Sequence, residues 1–192
     1  MIDTTFNYSQ HLPGDTEKAK AILTIKFMLF SASLVPSAVS GAIAYYEGYF
    51  SWLAFTLITL ALFLGQSAGD YLYYYFTHFH TDSRDSHTKI FAGWKPLFVG
   101  SLLHPKQSLI AGIFCLLIDI IIGIYFYLQL GTTVIYLALA GGLIAILFTP
   151  LMLKGFKEIV IFITFGPLSI LSAVYVLTGN FSMTAFYTSL PI

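Results

Sequence analysis

The sequence predicts an all-α protein, a polytopic transmembrane helical bundle with about five full spans and the start of a sixth. Three observations carry this reading. The chain is 57% hydrophobic and 9% charged, with a mean hydropathy of +0.81, whereas a soluble domain carries about 25% charged residues. Its apolar residues gather into runs near the roughly 20 residues that a helix needs to cross the hydrocarbon. Its nine Lys and Arg lie in three places, near the N-terminus and around every second connection after it.

Residues 1–18 have no apolar period and contain Pro13-Gly14, so they read as a polar N-terminal tail ahead of a transmembrane domain over 19–192. Span one runs from about Ala19 to Tyr46, with Pro36 and Gly41 inside it. Such residues are tolerated in a membrane helix when neighbours satisfy the freed backbone groups. Glu47-Gly48 makes a turn, and span two runs from Phe50 to about Phe79. That length should project beyond the hydrocarbon, and Tyr71, Tyr73, Tyr74 and Tyr75 suit the interface. A long polar loop follows, from His80 to Pro105, with Trp94 and Phe98 suggesting contact with the membrane surface.

Span three covers Gln107 to Leu128 and carries Asp119. Span four covers Val134 to Leu147, and Phe148 to Lys157 is the next connection, broken by Pro150 and Gly155. Span five runs from Glu158 to Leu177, and Phe181 to Ile192 begins a sixth. The basic residues lie at Lys18, Lys20 and Lys26, then Arg84, Lys89, Lys95 and Lys106, then Lys154 and Lys157. The turns at Glu47, Gly131 and Gly179 have none. The positive-inside rule therefore puts the N-terminus and loops 2–3 and 4–5 in the cytoplasm.

Formal net charge is zero and the pI is about 7.0, which gives no footprint for nucleic acid. The one cysteine, Cys115, lies in an apolar run and reads as a small packing residue.

Asp70 is the sharpest chemical signal. A carboxylate at the bilayer centre costs about 3 kcal/mol on insertion scales, which makes it a functional candidate by default. The competing reading is a structural partner for a neighbouring helix. Its place near the polar end of span two favours function, because water and cations reach it there. Asp82 and Asp85 follow, among His78, His80 and His87. Hard divalent cations such as Mg²⁺ take carboxylate oxygens and keep several waters. The histidines also permit zinc, although their spacing matches no standard structural site. The plainer alternative is a solvated loop.

Lys154 and Lys157 lie on the same predicted membrane face as Asp70 and suit phosphate as point charges. They also serve as topology determinants. Asp119, mid-span and without a nearby cation in sequence, reads as neutral or hydrogen-bonded between helices.

The run from Phe148 to Glu158 (FTPLMLKGFKE), then Phe165-Gly-Pro-Leu-Ser-Ile and Tyr175-Val-Leu-Thr-Gly179, resembles the UbiA superfamily of intramembrane prenyltransferases. Within it, the chain looks like the branch of the 1,4-dihydroxy-2-naphthoate prenyltransferases of menaquinone biosynthesis. Pro36 to Ala44 resembles the family's first helix, and Gly65 to Tyr71 (GQSAGDY) the approach to its first aspartate-rich motif. The resemblance implies a helical bundle in which Mg²⁺ helps bind prenyl diphosphate and an aromatic acceptor takes the prenyl group. It implies Asp70 as a metal ligand, with Asp82 and Asp85 as candidates for the same ion. Arg84, Lys154 and Lys157 would contact the diphosphate.

Two departures stand beside it. The family's first motif reads Asn-Asp-x-x-Asp, but here Gly69 replaces Asn and Tyr73 the second Asp. Family members also continue into further spans and a second aspartate-rich motif beyond the point matching Ile192. The expectation is the N-terminal part of such an enzyme, or a shortened homologue, with little activity alone. It would be completed by a missing C-terminal half or by an oligomer. The alternative is a non-catalytic membrane protein that binds isoprenoid lipid or assembles with a partner.

Overall fold

A backbone in hydrocarbon must satisfy its own polar groups, and a helix does so within one segment. Every apolar run in the described residues is accordingly helical. The structure, a computed structural model, describes residues 33–78 and 105–190. The tail over 1–18, the start of span one, and Asp82, Arg84 and Asp85 lie outside the described residues.

Helix α1 covers 33–46, and α2 covers Trp52–His78. Helix α3 is Pro105–Leu130 and α4 is Thr133–Leu153. Helix α5, Lys157–Ile163, passes through a π-helical turn, Thr164–Leu168, into α6, Ser169–Thr178. A short α7 covers Met183–Ser189. The stretches Trp52–Leu72, Lys106–Leu130 and Glu158–Thr178 are long and apolar enough to cross a membrane, and Thr133–Leu147 is a shorter apolar helix. With 27 residues, α2 is about 40 Å long, more than the roughly 30 Å hydrocarbon core.

Helices α2 and α3 form an antiparallel pair held by small residues. Ser108 Oγ donates to Tyr71 O at 2.8 Å. A Cβ built on Gly112 would stand 3.3 Å from both Leu72 Cγ and Tyr71 Cβ. Tyr71 thus lies in the helix seam, not in the interfacial aromatic set that its sequence position suggests. Helix α1 crosses to α2 through Ser33 and through Gly41, on which the Phe55 ring lies. On its other side α1 meets α6, where Ile43, Ile170, Val174 and Ala185 form a buried cluster. A larger cluster joins Ala44, Ile58, Ile122, Phe126, Val134 and Ala173. The outer sides of α3 and α4 expose Phe114, Ile121, Leu128, Leu139 and Leu143, a surface suited to hydrocarbon.

The base-free turns share one end. Ser182 Oγ donates to Glu47 Oε1, and Leu130 Cδ2 lies 3.8 Å from a Cβ built on Gly179. The C-terminus of α2, the N-terminus of α3 and the α4–α5 connection lie at the other end.

The α4–α5 connection is shorter than expected. Helix α4 continues through Pro150 to Leu153, so only Lys154-Gly155-Phe156 links the helices. Span five is also interrupted. Pro167 sits inside the π turn, where the widened backbone accommodates a residue with no N–H to give. Thr164 O accepts the Ser169 hydroxyl, so this carbonyl of the irregular turn has a side-chain partner.

Candidate functional site

Asp70 stands about 12 Å from the C-terminal end of α2, at 1.5 Å per residue. One oxygen, Oδ2, is fully buried and has no hydrogen-bond partner among the described residues. A buried polar atom left alone in a native fold is rare and calls for an explanation, among them strain, a catalytic role or a bound water or ion.

One turn deeper, Gln66 lies on the same side of α2. Its Oε1 accepts the hydroxyl of Ser33 from α1, and that hydroxyl also lies 3.4 Å from Leu62 O. Thr59, farther along this side, has a buried Oγ1 with no partner among the described residues. Gly69 is buried, yet a Cβ built there would meet no described atom within 4 Å. Among the described residues, nothing therefore fills the position where the UbiA pattern carries Asn, beside Asp70.

Asp119 occupies a different flank. Its Oδ2 would lie 3.1 Å from a Cβ on Gly65, while Oδ1 is buried without a partner among the described residues. Gly65 and Asp70 are about 140° apart around α2 at 3.6 residues per turn, so the carboxylates sit on different sides of one helix. The expected interhelical setting of Asp119 is what the fold contains, but Oδ1 gains no hydrogen bond there.

Among the described residues, no three His, Cys, Asp or Glu side chains gather as a metal cluster. Asp70 is the one predicted metal ligand whose side chain is described. Lys154 is exposed at the same end of the bundle, in the α4–α5 connection. Lys157 begins α5 beside it, with its side chain outside the description. Gln66 escaped the sequence reading. The signal was a carboxamide one turn ahead of a buried carboxylate in GQSAGD.

The chain is 29% identical over 189 residues to UbiA prenyltransferase domain-containing protein 1 of Xenopus tropicalis, covering 91% of this chain and 51% of the relative. It is 29% identical over 185 residues to the Danio rerio protein of the same description, covering 91% of this chain and 52% of that relative. The similarity supports the UbiA superfamily. The chain spans about half the length of these curated relatives. No family model matches it, and no solved structure does. The apolar helices and this similarity together make it an integral membrane protein.

Proposed function

We propose that this chain forms part of a UbiA-type prenyltransferase that moves a polyprenyl group from prenyl diphosphate to an aromatic acceptor in quinone or lipid biosynthesis. The buried, unpartnered oxygen of Asp70 near the polar end of α2 carries the reading. The menaquinone branch is the favoured assignment, resting on the quoted motif runs.

The residues fit Mg²⁺ in its usual mode, which uses one or two carboxylates plus phosphate oxygens and waters. Asp70 would supply one oxygen, with Asp82 and Asp85 as further candidates. Bound there, the ion would neutralise diphosphate charge as it develops. Lys154, Lys157 and Arg84 would attract the same anion from the polar end. The apolar helices exclude water from an allylic carbocation. As the allylic C–O bond breaks, diphosphate leaves with the bonding pair. An aromatic carbon then forms the new C–C bond and releases its proton to water. The polar end, with Lys106 and Lys154, would face the cytoplasm. A second transmembrane half, in the same chain or another, would complete the enclosure.

The deciding experiment is equilibrium binding of geranylgeranyl diphosphate to the detergent-purified chain, with and without Mg²⁺. Mg²⁺-dependent binding that weakens at least about tenfold in Asp70→Asn is expected, the scale of a lost charge-assisted contact. Binding indifferent to Mg²⁺, or to Asp70→Asn, overturns the proposal. A second reading, a non-catalytic isoprenoid-binding protein, draws on Gly69 and Tyr73 in the motif and on the lack of a described metal cluster. It predicts prenyl-chain binding without Mg²⁺ dependence.

A further inference from the structure

Among the described residues, Glu47 is the one charged side chain at the base-free end of the bundle. Its Oε1 accepts the Ser182 hydroxyl, which ties the α1–α2 turn to the α6–α7 turn. Beside it the surface is aromatic, with Tyr45, Tyr46 and Trp52 being 76%, 86% and 75% exposed. These rings are ordered by Phe50, which stands edge-to-face with Tyr45 at 6.1 Å and with Trp52 at 5.0 Å. Residues 33, 78 and 105, at which α1, α2 and α3 join the rest of the chain, are the ends of those helices farthest from this surface.

We propose that this surface binds the headgroup of a membrane lipid that carries an ammonium group, with Glu47 as the counter-charge and Tyr45, Tyr46 and Trp52 as the ring wall. Position and charge carry the argument. The turn separates two apolar helices, so it stands at the level of the headgroups, where Tyr and Trp rings settle. A carboxylate there, with no Lys or Arg at the same end, attracts an ammonium and repels an anionic headgroup. The π faces of Tyr and Trp add to that attraction. A surface for acyl chains alone is aliphatic in the main, as the outer sides of α3 and α4 are with Ile121, Leu139 and Leu143. The opposite end carries Lys106 and Lys154, which suit anionic lipid instead. The Ser182 bond fixes the Glu47 carboxylate beforehand and so lowers the ordering cost of binding.

Trp52 is its own reporter. The chain has two tryptophans, and Trp94→Phe leaves Trp52 alone. The full chain with that change is reconstituted in bilayers of phosphatidylethanolamine and phosphatidylglycerol, with bromine on the acyl chains of one lipid or the other. Quenching of Trp52 then reads which lipid sits beside it. Phosphatidylethanolamine should be preferred about fivefold, the scale of an exposed cation–π contact. Glu47→Gln, which still accepts the Ser182 hydroxyl, should bring the ratio close to one. Tyr46→Leu should reduce it about twofold, which keeps the test usable if Glu47→Gln does not fold. No preference in the starting protein, or one unchanged in both variants, overturns the inference. So does Trp52 fluorescence that neither brominated lipid quenches, which would put protein instead of lipid on this surface.

Discussion

The Asp119 carboxylate of α3 rests on the bare Cα face of Gly65 in α2, where an added methyl group would stand 3.1 Å from Oδ2. Ser108 against Tyr71 O, and Gly112 against Leu72, continue this close contact toward the polar end. Without a hydrophobic drive inside lipid, such close backbone approach is a main source of helix association.

Gly65→Val should therefore destabilise the α2–α3 pair by about 1–3 kcal/mol, the usual cost of overpacking. Asp119→Ala should recover part of that loss in the double variant, because it removes the atom that the new side chain strikes. Reversible unfolding in mixed detergent micelles measures all four corners of the cycle. Strictly additive effects would show that the two residues do not share the contact.

Gly41 makes an even tighter approach to α2. A Cβ there would lie 2.6 Å from Phe55 Cε2, and the Phe55 ring is itself packed 5.5 Å from that of Phe50. Gly41→Ala should cost about 1–3 kcal/mol, and Phe55→Leu should rescue most of it. The same unfolding assay reads this, and a neutral Gly41→Ala would contradict the packing.

Topology gives an independent check. Tyr46, 86% exposed at the base-free end, and Lys154 at the polar end should label from opposite membrane faces. Single-cysteine variants at these positions, in a Cys115→Ser background, are expected to react with a membrane-impermeant maleimide on one side each. The Lys154→Cys site should be the cytoplasmic one, in keeping with the distribution of basic residues. Labelling of both from one side would break the helix order.

Much of this architecture is legible in the chain because membrane spans announce themselves by length and apolarity. Helices α2 and α3 differ from their expected bounds by two residues or fewer at either end. Their ends are marked by local chemistry, as at Gly131, where the chain turns with φ of 83°, a conformation that favours glycine. The misjudged stretch was Phe148–Lys157. Proline ends helices reliably in water, but a membrane helix has no solvent to take over its backbone groups, and α4 runs on through Pro150. The π turn left no periodic trace, because the residues on both sides of it are apolar.

The site was half legible. Asp70 stood out because a lone carboxylate in an apolar run is expensive. Gln66 did not, since a neutral amide carries no such penalty and its meaning depends on Ser33, which lies 33 positions earlier. That contact emerges only once α1 and α2 are packed.

Ser169→Ala should remove one of the two donors to Thr164 O, which keeps the Ser169 backbone N–H, and cost about 0.5–1.5 kcal/mol for the lost hydrogen bond. Ser169→Thr keeps the hydroxyl and should restore most of the stability. Equal losses in both variants would assign the cost to crowding around the turn.

The π turn also sets a rule about length. Downstream of it, α6 buries Ile170, Val174 and Leu177, and each residue added to or deleted from an α-helix rotates the later part of that helix by about 100°. Deleting one residue from Thr164–Leu168 would regularise the coil yet swing that apolar stripe away from α1. Substitution there is a local matter, whereas an indel is a change of phase for the rest of the bundle. Homologous chains that share this packing should vary in letters across the turn and agree in count.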